Sequence, residues 1–479
     1  MVKKIAKIYK YKSVKEPVTL LSKKGEDEMK KITRMWIVAV VLALLCVTMF
    51  TSCAGADEVI ESTALKLELG KNGYEVAGVY LCTDKHLVIP AEYEGVPVVA
   101  IRANAFKDNK NIVSVTIPES VTSIGNNAFE GCYGLESVNL SGGLTKLGNE
   151  VFSGCTSLKE IELPENLTTL GDNVFKNCSS LTKVDVDYYN VKFAFEDGVL
   201  YSADMKQIIR VFGSAEGFEI PSSVTTIKGG AFRGCEGLTA ITIPSSVKTV
   251  GAAAFENCVA LESVTFAGNK VTSIGNYAFA GCSALTSIKL PTSGVKTIGA
   301  YAFSNCNALK SVNLPASAET LGDAAFMGCT ALESVKMPEG ITQIGAFQFM
   351  NCISLKSIVI PNNVTKILDS AFYGCRSLTS VKFSTALTEI GVASFASCSA
   401  LTEMNLTDTV LAVGQRAFAD CVKLGKVTVP ESVTTMGYAV FSGCTALKTV
   451  SCKAEAQPET WDAGWLGLEN TAIVQYTKK

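Results

Sequence analysis

A 23-residue unit recurs along this chain, and that single fact limits what it can fold into. One clean copy runs from Cys235 through Leu238, Ile241, Ile243, Pro244, Val247, Val250, Gly251, Ala254 and Phe255, and Cys258 opens the next. The repeated cysteines are Cys132, Cys155, Cys178, Cys235, Cys258, Cys282, Cys306, Cys329, Cys352, Cys375, Cys398, Cys421 and Cys444, at steps of 23 or 24 with one step of 57. Fourteen matching phenylalanines run from Phe106 to Phe441. So strict a period excludes a globule held by irregular long-range contacts. It specifies a solenoid, in which each unit buries its apolar face only by stacking on its neighbours.

Each unit carries its own structural instructions. Leu-x-x-Val/Ile-x-Ile/Leu, as in Leu135, Val138, Leu140 or Leu309, Val312, Leu314, gives the alternation of a short strand. Proline often follows, for example Pro118, Pro244 and Pro361, and ends the strand because it has no N–H to donate. Val-x-x-Ile-Gly is then a second short extended piece whose glycine permits a tight bend. Ala-Phe-x-x-Cys closes the coil, and Phe and Cys three apart suit a helical or 3₁₀ turn with both side chains inward. Stacked at about 4.8 Å, some fourteen coils span on the order of 65 Å. The repeated thiols then form a ladder with parallel Cβ vectors, a geometry for buried free thiols rather than disulfides. One thiol per coil cannot build a tetrahedral zinc site locally.

The wording Ile-Pro-x-x-Val-x-x-Ile-Gly-x-x-Ala-Phe-x-Gly-Cys resembles the BspA-like class of bacterial surface leucine-rich repeats over residues 87–452. Asn109 stands at the first cysteine position, Leu368 at a glycine and Gln348 at an alanine. The resemblance implies a leucine-rich repeat solenoid of the α/β class with mostly short parallel β-strands. It would be a curved, right-handed array of about 14 coils closed by β-hairpin caps. It also implies a surface protein that attaches to host matrix proteins or other cells.

Residues 1–52 read as an N-terminal extension and export signal. Met29 to Arg34 is a basic segment, and Trp36 to Phe50 is an apolar run too short to span a bilayer comfortably, so Met29 or Met35 is a plausible true start. Phe50-Thr51-Ser52-Cys53 resembles a bacterial lipobox, with phenylalanine where leucine is usual, which makes Cys53 the candidate lipidated residue. Simple cleavage after Ala54-Gly55-Ala56 is the competing reading, and both export the chain. Residues 53–104 form a linker and cap, 105–452 the solenoid, and 453–479 a C-terminal cap whose Trp461 and Trp465 cover the last coil. The long step holds an insertion at 187–220 that reads as a lateral hairpin, with two strands between Phe195 and Val211.

Chemistry is sparse. His86 is the sole histidine, and no phosphate loop, nucleophile–base–acid set or catalytic carboxylate pair is evident. Residues 1–52 hold eleven of the 43 basic residues and four of the 45 acidic ones, leaving 32 against 41, so a nucleic-acid partner is disfavoured. No cofactor is expected. Outward strand positions form two rows, mostly small and hydroxylated, from Ser114 to Thr449 and from Thr116 to Thr428. Glu160, Glu162, Asp185 and Asp187 are a candidate Ca²⁺ cluster, read in preference as solvated surface. The expected partner is an extracellular or host-surface protein. A glycan is the alternative, with Tyr188, Tyr189, Trp461 and Trp465 as its candidate aromatics, and membrane contact is expected only through the lipid. Replacing Cys53 by alanine should release the chain from the membrane fraction; unchanged retention would reject the lipobox.

Overall fold

The computed structural model describes residues 65–80, 84–467 and 469–477. Cys53, Cys82 and the export signal lie outside them. All that follows concerns the unit Glu61–Lys479. Among the described residues there are strands and turns but no helix, so the α/β expectation is corrected to all-β. The closing Ala-Phe-x-x-Cys segment is a turn, with Cys132 N–H donating to Phe129 O at 3.2 Å. The solenoid has about 17 turns once cap and insert strands join the fourteen repeats.

Each coil contributes to two parallel ladders. The longer strands, such as Ser263–Phe266 and Ser287–Lys289, pair Ser263 with Ser287 and Val264 with Ile288, so one repeat brings identical positions side by side. The shorter strands, such as Thr249–Val250 and Ser273–Ile274, pair likewise. Between the ladders, Pro244 O accepts from Val247 N–H at 3.0 Å, so proline starts the connecting turn. At the N-terminal end, Leu65–Leu69 and Tyr74–Val79 form an antiparallel hairpin, and the second of these already stacks in parallel on Val96–Ile101. The C-terminal end is no hairpin: Ile473–Tyr476 adds one more parallel strand to Thr449–Cys452. Trp461 and Trp465 are buried, and Trp465 meets Phe441 edge-on at 6.0 Å.

The glycines act differently from the sequence expectation. Those after the short strands lie outside the left-handed region and are needed for close approach. A Cβ on Gly171 would lie 2.4 Å from the backbone of Gly148 in the coil below. One left-handed bend falls a residue before each repeated cysteine, where Gly131, Gly154, Asn177, Gly234, Asn257 and Gly281 all have φ between 57° and 77°, and a second falls four residues earlier, as at Asn127, Glu150 and Asn173.

Inside, the phenylalanines stack ring on ring. From Phe232 to Phe441 successive centroids lie 4.7 to 5.7 Å apart and nearly parallel. Each buried ring contributes about 1.5–3 kcal/mol.

The insertion at 187–220 is not lateral. Its strands Phe193–Glu196, Val199–Ser202 and Gln207–Val211 stand in the stack, and the last pairs in parallel with Thr226–Ile227. Alternation turns this sheet into a wall. Val199, Tyr201, Ile208 and Val211 face one core, which continues to the C-terminal cap. Leu200 and Phe193 face a second core running back to Leu65, against which Ile209 and Phe212 also pack. A smaller interruption lies where Thr320–Leu321 and Gln343–Ile344 fail to pair. There the Gly345 N–H turns to Gln348 Oε1 at 2.6 Å, whereas Gly322 N–H and Leu368 N–H reach the coil before. Gln348, in place of an alanine, thus supplies within its own coil the acceptor that the neighbouring coil does not, while its Nε2 is buried without a partner.

Phe326 touches both Phe303 at 5.4 Å and Phe349 at 5.6 Å. Phe326→Ala should cost about 3–5 kcal/mol in urea unfolding, because packed coils on both sides prevent collapse of the cavity. A loss below about 1 kcal/mol would mean that the stack relaxes freely.

Candidate functional site: the strand face

The outward positions of the longer strands are aligned by register. Ser114, Ser137, Glu160 and Lys183 are consecutive partners, and so are Ser263 and Ser287, Ser311 and Ser334, Ser357 and Ser380. The two rows read from the sequence are therefore real columns within each sheet. Their side chains are exposed because strand alternation sends the intervening residues inward.

The acidic residues occupy a hollow of about 380 Å³ bordered by Glu160, Glu162, Lys183 and Asp185. Lys183 Nζ lies 3.0 Å from Glu160 and 3.2 Å from Asp185 and takes the place a cation would need. Asp187 Oδ1 accepts the Tyr189 N–H at 2.7 Å and shapes the turn. Among the described residues no three His, Cys, Asp or Glu side chains converge as metal ligands, these four included. His86 Nδ1 and Ser114 Oγ are 2.8 Å apart on the same face. Glu160, the first carboxylate along their column, is three strands on, roughly 14 Å away at strand spacing. That pair is a surface hydrogen bond.

Further along, the strand face changes character. Lys289, Lys336 and Lys382 stand at the equivalent position of three separate sheets, Lys336 beside Asn313 and Lys382 beside Val359, which is 60% exposed. None of the three lysines has a carboxylate partner among the described residues. The ladder is unpaired between Ser287–Lys289 and Ser311–Asn313. Here a groove of about 910 Å³ opens, floored by Leu290, Leu314 and Met337 and edged by Pro291, Pro315 and Pro338. The sequence rows contained these lysines, but the groove spans three units, which no single repeat records.

Of the candidate aromatics, Trp461 and Trp465 are withdrawn into the cap, while Tyr188 and Tyr189 are 61% and 70% exposed. A pair missed in the sequence lies on the turn side. Tyr277 and Tyr301 stack at 4.8 Å with 2° between their planes. Both adopt positive φ, 58° and 57°, where a bulky side chain costs about 1–2 kcal/mol. Their signal was positional: each stands two residues after the glycine of consecutive units.

The cysteine column is chemically closed. All fourteen described cysteines are free, and thirteen are buried, Cys178 being half-buried. In twelve of them the thiol donates to the phenylalanine carbonyl of the preceding coil, as from Cys306 Sγ to Phe279 O at 3.2 Å and from Cys375 Sγ to Phe349 O at 3.1 Å. Burial pushes the Cys282 and Cys329 thiols from 9.0 up to about 12, and Cys306 and Cys352 well above 9.0. Such thiols stay protonated and unreactive.

Two parallel ladders, an inward leucine at each strand and one buried cysteine per coil define the leucine-rich repeat class. The BspA type leucine rich repeat region, in six copies, matches residues 85–208, 211–333 and 319–448, and the chain belongs to that family. No curated protein matches it. Among solved structures it is similar to a leucine-rich repeat protein from Bacteroides ovatus, at 28% identity over 88% of this chain and 100% of that one, with a TM-score of 0.51. A leucine rich cell surface protein from Faecalibacterium prausnitzii is 25% identical over 82% and 93%, with a TM-score of 0.43.

The raised thiols make stability depend on alkaline pH. An unfolded chain releases these protons near the ordinary thiol value while the folded one keeps them, so stability is intact below about pH 8.5 and falls above it. Each such thiol contributes a slope of about 1.4 kcal/mol per pH unit in that window. Urea midpoints should hold from pH 6 to about 8 and drop steeply between about 9 and 10. A flat profile would show that the thiols are not shielded.

Proposed function

We propose that this chain is exported and acts as a non-catalytic binding protein at the cell surface, held there by a lipid on Cys53. Its strand face engages an extracellular or host-surface protein. The observation that carries this reading is Lys289 and Lys336, without carboxylate partners on the edge of a groove floored by Leu290, Leu314 and Met337, with Lys382 at the equivalent position two units on. Apolar floor plus charged rim is the usual composition of a protein-binding patch. Two lysines against the single exposed Glu339 leave the rim net cationic, which favours a partner with an acidic surface, since complementary charge speeds encounter and selects the partner. Family membership and the basic, then apolar, N-terminal segment support the surface location.

A second reading, glycan binding, is supported by the exposed Tyr277 stacked on the half-buried Tyr301. A flat aromatic pair is a platform for a sugar ring.

Immobilised matrix proteins and glycans, probed with the same purified chain, separate the two. Changing Lys289, Lys336 and Lys382 together to glutamate should weaken protein binding tenfold or more, mostly through slower association at low salt. Tyr277→Ala with Tyr301→Ala should leave it unchanged. Glycan binding lost only in the tyrosine pair would replace the first reading with the second.

A further inference from the structure

The hairpin wall breaks the cysteine column, and the break leaves a charge uncompensated. In twelve coils the thiol donates to the phenylalanine carbonyl one coil earlier, but Cys235 has no such acceptor because its preceding coil is the insert. Arg210, an isolated charge in the apolar strand Gln207–Val211, lies at this break and lines a cleft with Cys178 and Glu236. Its Nη1 donates to Gly230 O at 2.7 Å, and its Nε is buried with no partner. No carboxylate pairs with it among the described residues, whereas nearby Arg233 is neutralised by Glu256 at 2.7 Å. Burial also holds the Arg210 guanidinium below its ordinary pKa.

Arg210 is half-buried, with its Nε out of water and no counter-ion, and a bound anion offsets the resulting desolvation cost. The surroundings admit one. Arg210 borders a cleft of about 500 Å³ that opens between the last coil before the insert and the first after it. That volume lies in the range of small-molecule sites, roughly 300–1,000 Å³. Phe175 and Phe212, 6.0 Å apart, supply apolar wall, and Ser214 stands exposed at the mouth. Glu236 on the same lining is exposed and repels a second negative charge on the ligand.

We propose that the cleft beside the hairpin wall binds a small monocarboxylate, with the carboxylate on Arg210 and the apolar body against Phe175 and Phe212. The planar guanidinium suits a carboxylate because it can donate two parallel hydrogen bonds. Free acids and the C-terminus of a peptide share this chemistry. The site is separate from the strand face.

Calorimetry on the full chain tests it with 3-phenylpropionate, its neutral amide, and glycyl-phenylalanine with a free or an amidated C-terminus. The acid should bind at least about tenfold more tightly than its amide, and Arg210→Gln should erase that preference. Ser214→Trp, which keeps the arginine but blocks the mouth, should also abolish binding and guards against misfolding of the first variant. Binding of the free dipeptide above the acid marks a peptide C-terminus as the occupant, and the reverse marks a free acid. Equal binding of acid and amide, unchanged affinity in Arg210→Gln, or no binding of either carboxylate by about 10 mM overturns the proposal.

Discussion

One carbonyl oxygen per coil holds the array in register. Phe349 O accepts the N–H of Cys352 within its own coil at 3.0 Å and the thiol of Cys375 in the next coil at 3.1 Å. The first bond closes the turn and the second joins turns, so both lone pairs of a buried acceptor are satisfied. Cysteine suits the position because it is a small apolar residue that still has a weak donor. Drawing two thiols together as a disulfide would leave both carbonyls without their second donor, in an interior where unmet acceptors are costly. The phenylalanine rings stack where they do because their backbone is fixed by this arrangement, and the left-handed residue before each cysteine is what aims the thiol inward.

Much of this was legible in the repeat. Period, strand alternation, the strand columns and the buried thiols all follow from residues that recur at fixed spacing, and register then places like beside like. The closing turn was ambiguous because Phe and Cys three apart satisfy a helical turn and a non-helical one equally. The glycine roles were exchanged for a related reason. A glycine signals either a left-handed backbone or a close approach, and only contact between coils, such as Gly171 on Gly148, separates the two. The rule that Gly, Asn, Asp or Ser precedes every repeated cysteine was present in the sequence and marks the left-handed site.

What the repeat could not record are features made by two units that differ. Gln348 reads as a lapse until the unpaired strands at Leu321 and Ile344 show which N–H it satisfies. The groove over Leu290, Leu314 and Met337 spans three units, and the ladder is unpaired between the first two. Arg210 is a lone charge in an apolar strand, yet its meaning depends on which coil it faces. The framework is thus written in the constant letters, and recognition in the places where constancy fails.

The wall of residues 193–211 bears on how such a chain can change over generations. Contacts in a solenoid reach only the adjacent coil, and here the two cores do not merge across the wall. The cysteine steps before it are all 23, while those after it mix 23 and 24. Duplication or deletion of a coil on one side therefore leaves the packing of the other untouched. The insert works as a bulkhead, letting one chain carry two arrays whose length and pitch drift independently while the cleft at their junction is preserved.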